Sequence, residues 1–415
     1  MNVNDVYEQR NSFFLEAPAA LKGGIYAAIG IGLLTLGYGF YADGSRTWGA
    51  FLFNLFFFFC LGLGGMAFAA MQDVIGAHWG RPIRRIQEGF GAFVPVAIAL
   101  FVIYLIAVAT GIGGADKVYR WIEDPSILSH FHGKDKYLVP GWFFLRVGVV
   151  LASILVLSLW QLRLSLKRDQ LAMAGQKAEA EAYGQEVKEK LKFWSAPILV
   201  VYGTGFTFMG MDLVMSLSPL WFSTLWGGWQ FAIMMQTLMA SLLLVMFMIK
   251  GTNVGKVIQR QQFHDVGKLM HGFTIFFAYL TYAHVLTYWY GNVPEETEYF
   301  IHRLHQPWFG LVIAVPILGF LVPLYTLIFK AAKWTAWVTG PIACLILLAQ
   351  WFSYLLMIQP EIVKDNSTWV PGLEIGVFFG MFGLFALTFT MFAKRNPMVP
   401  IADPLLKNAL DSGHH

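Results

Sequence analysis

Ten stretches of this 415-residue chain have the length and apolarity of a membrane-crossing helix: 24–41, 51–71, 89–109, 142–160, 194–214, 225–249, 269–289, 308–329, 334–358 and 370–393. Crossing the hydrocarbon core takes roughly 20 mostly apolar residues. Lipid offers the backbone no hydrogen-bond partner, so each stretch must satisfy its own peptide groups as a helix. Period-two alternation over about ten residues, the mark of a transmembrane barrel, is absent. The expected fold is all-α, a polytopic bundle of about ten transmembrane helices. Composition agrees: 57% of residues are apolar and only 13% charged. Soluble domains carry roughly a quarter charged residues. A disordered chain and a nucleic-acid-binding domain are excluded, and a net charge of +4 is too small to draw a polyanion.

Tyr41, Trp48, Trp142, Trp160, Trp194, Tyr290, Trp308, Trp334 and Trp369 cluster at span ends, as an interfacial belt does. The side holding both termini carries 21 lysines and arginines in its loops and tails, and the opposite side 7. That bias places both termini in the cytoplasm. Three regions follow: a cytoplasmic segment 1–23, a membrane domain 24–393 and a cytoplasmic tail 394–415. The first lacks the basic start of a signal peptide and is expected to stay on the protein. Two connections are long. Loop 111–141 lies outside and contains His130 and His132; segment 161–193 is rich in helix formers and reads as a solvated helical extension.

Cys60 and Cys344 are too few for an iron–sulfur cluster, which takes about four ligands. His271 and His284 are the histidines within spans. They share one helix about 20 Å apart at 1.5 Å per residue, on different faces, so they do not pair on one haem. No metal site is expected.

Ionisable groups inside spans are costly and are candidates for function. Five stand out: Arg146, Asp212, His271, His284 and Glu374. Glu374 is near a span end and is expected to reach water. Arg146 is expected to pair with an acid or reach the outer interface. Asp212 reads equally as an acid bonded to a neighbouring helix or as a proton-transfer or ligand group. Around the second turn, Arg81, Arg84, Arg85 and Glu88 share one helix face. They read as a positive anchor, with an Arg84–Glu88 or Arg85–Glu88 pair at the mouth of a cytoplasmic proton path beside Asp73 and His78. Near the outer end of the seventh span, Tyr279, Tyr282, His284 and Tyr288 bring hydroxyls and an imidazole together. The turns at 216–224 and 291–297 emerge on that same side.

Three composite motifs carry a family resemblance: HWGRPIRRIQEGF, MDLVMSLSPLWFSTLWGGWQFA and VGKLMHGFTIFFAYLTYAHVLTYWYGNVPEET. The chain resembles, over most of its length, the ActF-type membrane subunits of bacterial alternative complex III, a quinol:cytochrome c oxidoreductase of the NrfD-like, polysulfide-reductase superfamily. The resemblance implies a bundle without haem or iron–sulfur cluster in the bacterial inner membrane. It implies partners: a paralogous ten-span subunit, a periplasmic iron–sulfur subunit, and multi-haem and mono-haem cytochromes c. Asp212 and His284 become proton-transfer candidates. Ser216, Trp221, Tyr288, Asn292 and Glu295 mark an outer quinone region, and Asp73, His78, Arg84, Arg85, Glu88, Tyr279 and Tyr282 a proton path. The family often has an acid where this chain has Ser218 and a histidine where it has Leu220, which weakens quinol chemistry at that turn. A purely structural anchor and a secondary transporter are the rivals; only the eighth span, with Pro316 and Pro323, looks broken as transporter helices are.

Overall fold

The computed structural model describes residues 3–130, 133–363 and 371–411. Trp369, His132, His414 and His415 lie outside them, as do the side chains of His130 and Glu295. Among the described residues the fold is all-helical. Ten helices are long and apolar enough to cross a membrane: α1 Ala19–Ala42, α2 Gly44–Val74, α3 Arg81–Thr110, α4 Pro140–Met173, α5 Lys177–Leu217, α6 Trp226–Met248, α7 Arg260–Gly291, α8 Phe309–Leu327, α9 Ala336–Ile362 and α10 Gly372–Arg395. The protein is a polytopic membrane bundle.

The centre of the bundle is α2, whose most apolar stretch is wholly buried. It touches α1, α3, α5, α6, α9 and α10. Lipid tails are as apolar as leucine, so hydrophobicity does not choose which helix goes inside; close approach does. A Cβ on Gly65 would collide with the Gln87 carbonyl of α3, and one on Gly64 would meet Met234 of α6 at 3.2 Å. Bulk fills the remaining faces, as where Phe56 and Phe59 meet Phe101 edge-on at 5.3 Å.

Glycines also seat α1 on α10. A Cβ on Gly32 would fall on the Gly380 Cα, and one on Gly376 would collide with the Thr35 side chain. Backbone cannot yield as a flexible side chain does. Gly380→Val should therefore lever α1 off the bundle and cost at least the ~1–3 kcal/mol typical of overpacking. The check is a thermal-unfolding midpoint well below that of a variant at Gly37, where a Cβ meets nothing within 4 Å.

Helix α8 is interrupted as its prolines dictate. Proline lacks an N–H and its ring crowds the preceding turn. Between Pro316 and Pro323 the chain widens into a π-helical segment, Ile317–Leu321. Gln236 of α6 donates to the Gly319 carbonyl at 2.8 Å inside that segment. The transporter-like break is thus a local bulge supported by a neighbouring helix.

The 161–193 extension is helical. Helix α4 continues to Met173 and α5 begins at Lys177, with Gly175 at φ +81° between them. Both terminal segments pack under the same end of the bundle. Leu15 N–H donates to Ala393 at 3.1 Å, and Met398 N–H to Phe13 at 2.8 Å.

Candidate functional site: two buried polar clusters

Helix α3 begins next to the C-terminal end of α2, and the charges there are buried rather than solvated. Asp73, Arg84, Arg85, Glu88, Arg168 and Asp169 are each at most 6% exposed. Arg84 grips Asp73 with two hydrogen bonds, at 2.5 and 2.8 Å, and Glu88 with a third at 2.9 Å. Arg85 holds Glu88 and, from α4, Asp169 at 2.5 Å. The C-terminal tail inserts Asp403, which pairs with Arg168 at 3.0 Å and Arg81 at 3.4 Å. Four guanidiniums thus face four carboxylates and their formal charges cancel. Burial would raise the Asp403 carboxyl, yet the arginines around it hold it well below the usual carboxylate range. His78 is exposed and stands outside these pairs. The spacing offers Arg84–Glu88 or Arg85–Glu88 as alternatives, and both pairs form. Arg81, Arg84 and Arg85 spend their charge on carboxylates, so the lipid-anchor reading of that face is replaced.

From this network a polar stripe climbs α4. Ser165, Gln161 and Ser158 follow one another at helical spacing and are buried. Gln161 donates to the Met66 carbonyl at 3.3 Å, and Ser158 shares a hydrogen bond with the Tyr202 hydroxyl of α5 at 3.0 Å. Asp169 to Ser158 covers about 16 Å of helix at 1.5 Å per residue. Beyond it the buried face of α4 turns apolar, with Ile154, Leu151 and Val147.

At the opposite end, Asp212 is fully buried. Arg146 clamps it from α4 through two hydrogen bonds of 2.7 Å each, the fork geometry that arginine offers a carboxylate. Tyr137 stacks over that guanidinium at 3.8 Å. Burial and then the Asp212 charge push the Tyr137 hydroxyl up to about 12. Asp212 is therefore held to a neighbouring helix, and Arg146 is the partner acid–base spacing alone left unnamed.

His284 belongs to a second cluster at that end. Its Nδ1 faces the Leu280 carbonyl at 2.9 Å and its Nε2 the Ser223 hydroxyl at 2.8 Å. A carbonyl only accepts, so Nδ1 carries the hydrogen and Nε2 of the neutral ring accepts from Ser223. Tyr288 donates to the Phe222 carbonyl at 2.5 Å, and Trp221 stacks on Tyr299 at 4.0 Å. The 216–224 turn thus meets the end of α7. Asn292 ends α7 in the left-handed region (φ 46°) and is exposed. Ser216 donates to the Asp212 carbonyl. Tyr279 and Tyr282 are 63% and 64% exposed on the outside of α7, so neither joins a buried path.

Beside these clusters opens a cleft of about 510 Å³, lined by Ser218, Leu220, Trp221, Tyr299, His302 and Glu361 among others. Arg120 closes one side by donating to the Glu361 carbonyl at 3.1 Å. Glu374, expected in water, is instead fully buried and bound by Arg46 of α2 at 3.0 and 3.1 Å. The cause is its place at the start of α10, directly beside the first turn of α2.

Lys134 fastens the connection between α3 and α4 to the 216–224 turn, donating to the Pro219 and Trp221 carbonyls at 2.5 and 3.0 Å. Burial lowers its ammonium to about 8, with Glu296 partly opposing. The docked loop then binds fewer protons than the free loop from pH 8 to about 10.4, so its docking strengthens as pH rises through that window. Acetylation of Lys134 should follow a pH profile with a midpoint near 8 rather than that of an ordinary lysine.

No protein-family model matches the chain, and no curated protein matches it at significant similarity.

Proposed function

We propose that this chain is an integral membrane subunit of a quinol:acceptor oxidoreductase of the alternative complex III type, serving proton transfer and anchoring while partner subunits carry electrons. The observation that carries the reading is the placement of buried polar groups at both ends of the bundle. A charge-balanced network and stripe occupy the end that holds the termini and run along α4 as far as Ser158. The Asp212–Arg146 pair and the Ser223–His284 cluster occupy the other end; between the two ends the buried face of α4 is apolar, while Gln236, Thr274 and Gln350 keep buried hydrogen bonds at mid-depth on α6, α7 and α9. Such halves suit protons that enter and leave on different sides. In this reading the termini lie on the cytoplasmic face of a bacterial inner membrane, an orientation that the Lys/Arg bias supports.

Quinol oxidation releases two electrons and two protons. In this reading the electrons leave through the iron–sulfur and cytochrome c subunits, and the paralogous ten-span subunit shares the membrane. Quinone, where it meets this chain, would lie in the outer cleft beside Trp221; Ser223 and His284 do not line that cleft, and His284 would take up protons leaving it rather than bond the quinol itself. The anchor reading draws support from Asp212, whose carboxylate is fully engaged by Arg146.

His284→Phe keeps an aromatic ring beside Trp229, now 5.0 Å from the imidazole. Quinol turnover of the purified complex should fall about tenfold or more, short of the ~10²-fold or greater loss of a group acting in the chemical step. Unchanged turnover in a normally assembled complex would favour the anchor.

A further inference from the structure

Next to the buried charge network is a small cavity of about 20 Å³ lined by Asp73, Arg81, Arg168, Lys188, Lys192 and Asp403. Its carboxylates are already committed: Asp73 to Arg81 and Arg84, Asp403 to Arg168 and Arg81. The two lysines are surplus positive charge. Lys188 has only a 3.6 Å contact with Glu189, whose side chain is 67% exposed, and Lys192 has no ion pair among the described residues. Arg168 is 2% exposed; its Nε and Nη1 reach Asp169 and Asp403, but its buried Nη2 has no hydrogen-bond partner among the described residues. A buried guanidinium N–H left unmatched calls for an acceptor, and an anionic one answers the lysines as well.

Size and height narrow the occupant. The cavity has room for one oxygen-sized group, since a water takes about 10–15 Å³ by the same measure. Lys188 and Lys192 stand one helical turn apart on α5. Trp194, two residues on, meets Trp160 edge-on at 6.5 Å, marking the membrane interface. A phosphate group there places one oxygen in the cavity and the others against the lysines.

We propose that this cavity is a phosphate-binding site at the membrane surface, filled by the headgroup of an anionic phospholipid or by free phosphate. The test uses the full chain in a neutral detergent. Its thermal midpoint is titrated with phosphatidylglycerol, phosphatidylcholine and inorganic phosphate, for the wild type and for Lys188→Gln/Lys192→Gln, whose side chains lie outside the buried pairs. Phosphatidylglycerol should stabilise the wild type beyond phosphatidylcholine. The double variant should need at least tenfold more of it for half the effect. Equal stabilisation by inorganic phosphate, lost in the same variant, supports the site with free phosphate as its source. No stabilisation by either anion, as with water alone in the cavity, or an unchanged titration in the variant, overturns the proposal.

Discussion

Arg85→Ala should nearly abolish accumulation of the folded chain. Arg85 is completely buried and bonds Glu88, Asp169 and the Ser165 carbonyl. Its loss leaves Asp169 with a 3.4 Å contact from Arg168 and the Ala402 N–H at 3.1 Å, and the cluster with an uncompensated negative charge. Removing one partner of a buried ion pair typically costs ~3–5 kcal/mol, a large part of the ~5–15 kcal/mol that holds a native protein together. Arg85→Met/Asp169→Asn restores charge balance at similar bulk and should recover most of the lost material. The yield of monodisperse protein on size exclusion, with the thermal midpoint of what survives, checks both. Normal accumulation of Arg85→Ala would mean that the network is not a structural unit.

Asp212→Asn should separate stability from function. The amide keeps the shape and one acceptor for Arg146, and the Arg146 side chain is 22% exposed, so solvent screens part of the orphaned charge. A loss of ~1–3 kcal/mol is expected, the scale of a disrupted buried hydrogen bond, and the chain should still assemble. If the proposed proton-transfer role holds, turnover should nevertheless fall about tenfold or more, because the amide cannot take up a proton at the end of the bundle away from the termini. Arg146→Gln is the converse case. It leaves a buried carboxylate unpaired and should destabilise more than Asp212→Asn. Wild-type turnover in an assembled Asp212→Asn complex would reduce the pair to a helix clasp.

Much of this architecture is written in local spacing. The ten spans follow from run length, and the disturbance of α8 from Pro316 and Pro323. The Glu88 pairs follow from helical offsets of three and four residues. What spacing does not carry is the long-range partner. Asp169 and Arg168 sit in a segment whose composition reads as solvated, and Asp403 in a tail, yet chain folding brings all three against α3. One local signal was present: Ser158, Gln161 and Ser165 on α4 point in phase at Asp169, extending a buried stripe into the supposedly wet region. Tyr279 and Tyr282 show the opposite difficulty. The buried line of α7 runs through Phe277, Leu280, His284 and Tyr288. In lipid both faces of a helix are apolar, so the sequence hides which one turns inward. Glu374 escapes the sequence because distance from a span end measures depth and not the presence of Arg46 beside it.

The most direct test of the quinol-oxidoreductase reading is purification of the native chain from its own membrane in a mild detergent. The absorption spectrum and the low-temperature electron paramagnetic resonance of the isolated material are then recorded. The account predicts stoichiometric c-type haem and iron–sulfur signals that become reduced on adding quinol. A lone, colourless chain that is fully folded would contradict it.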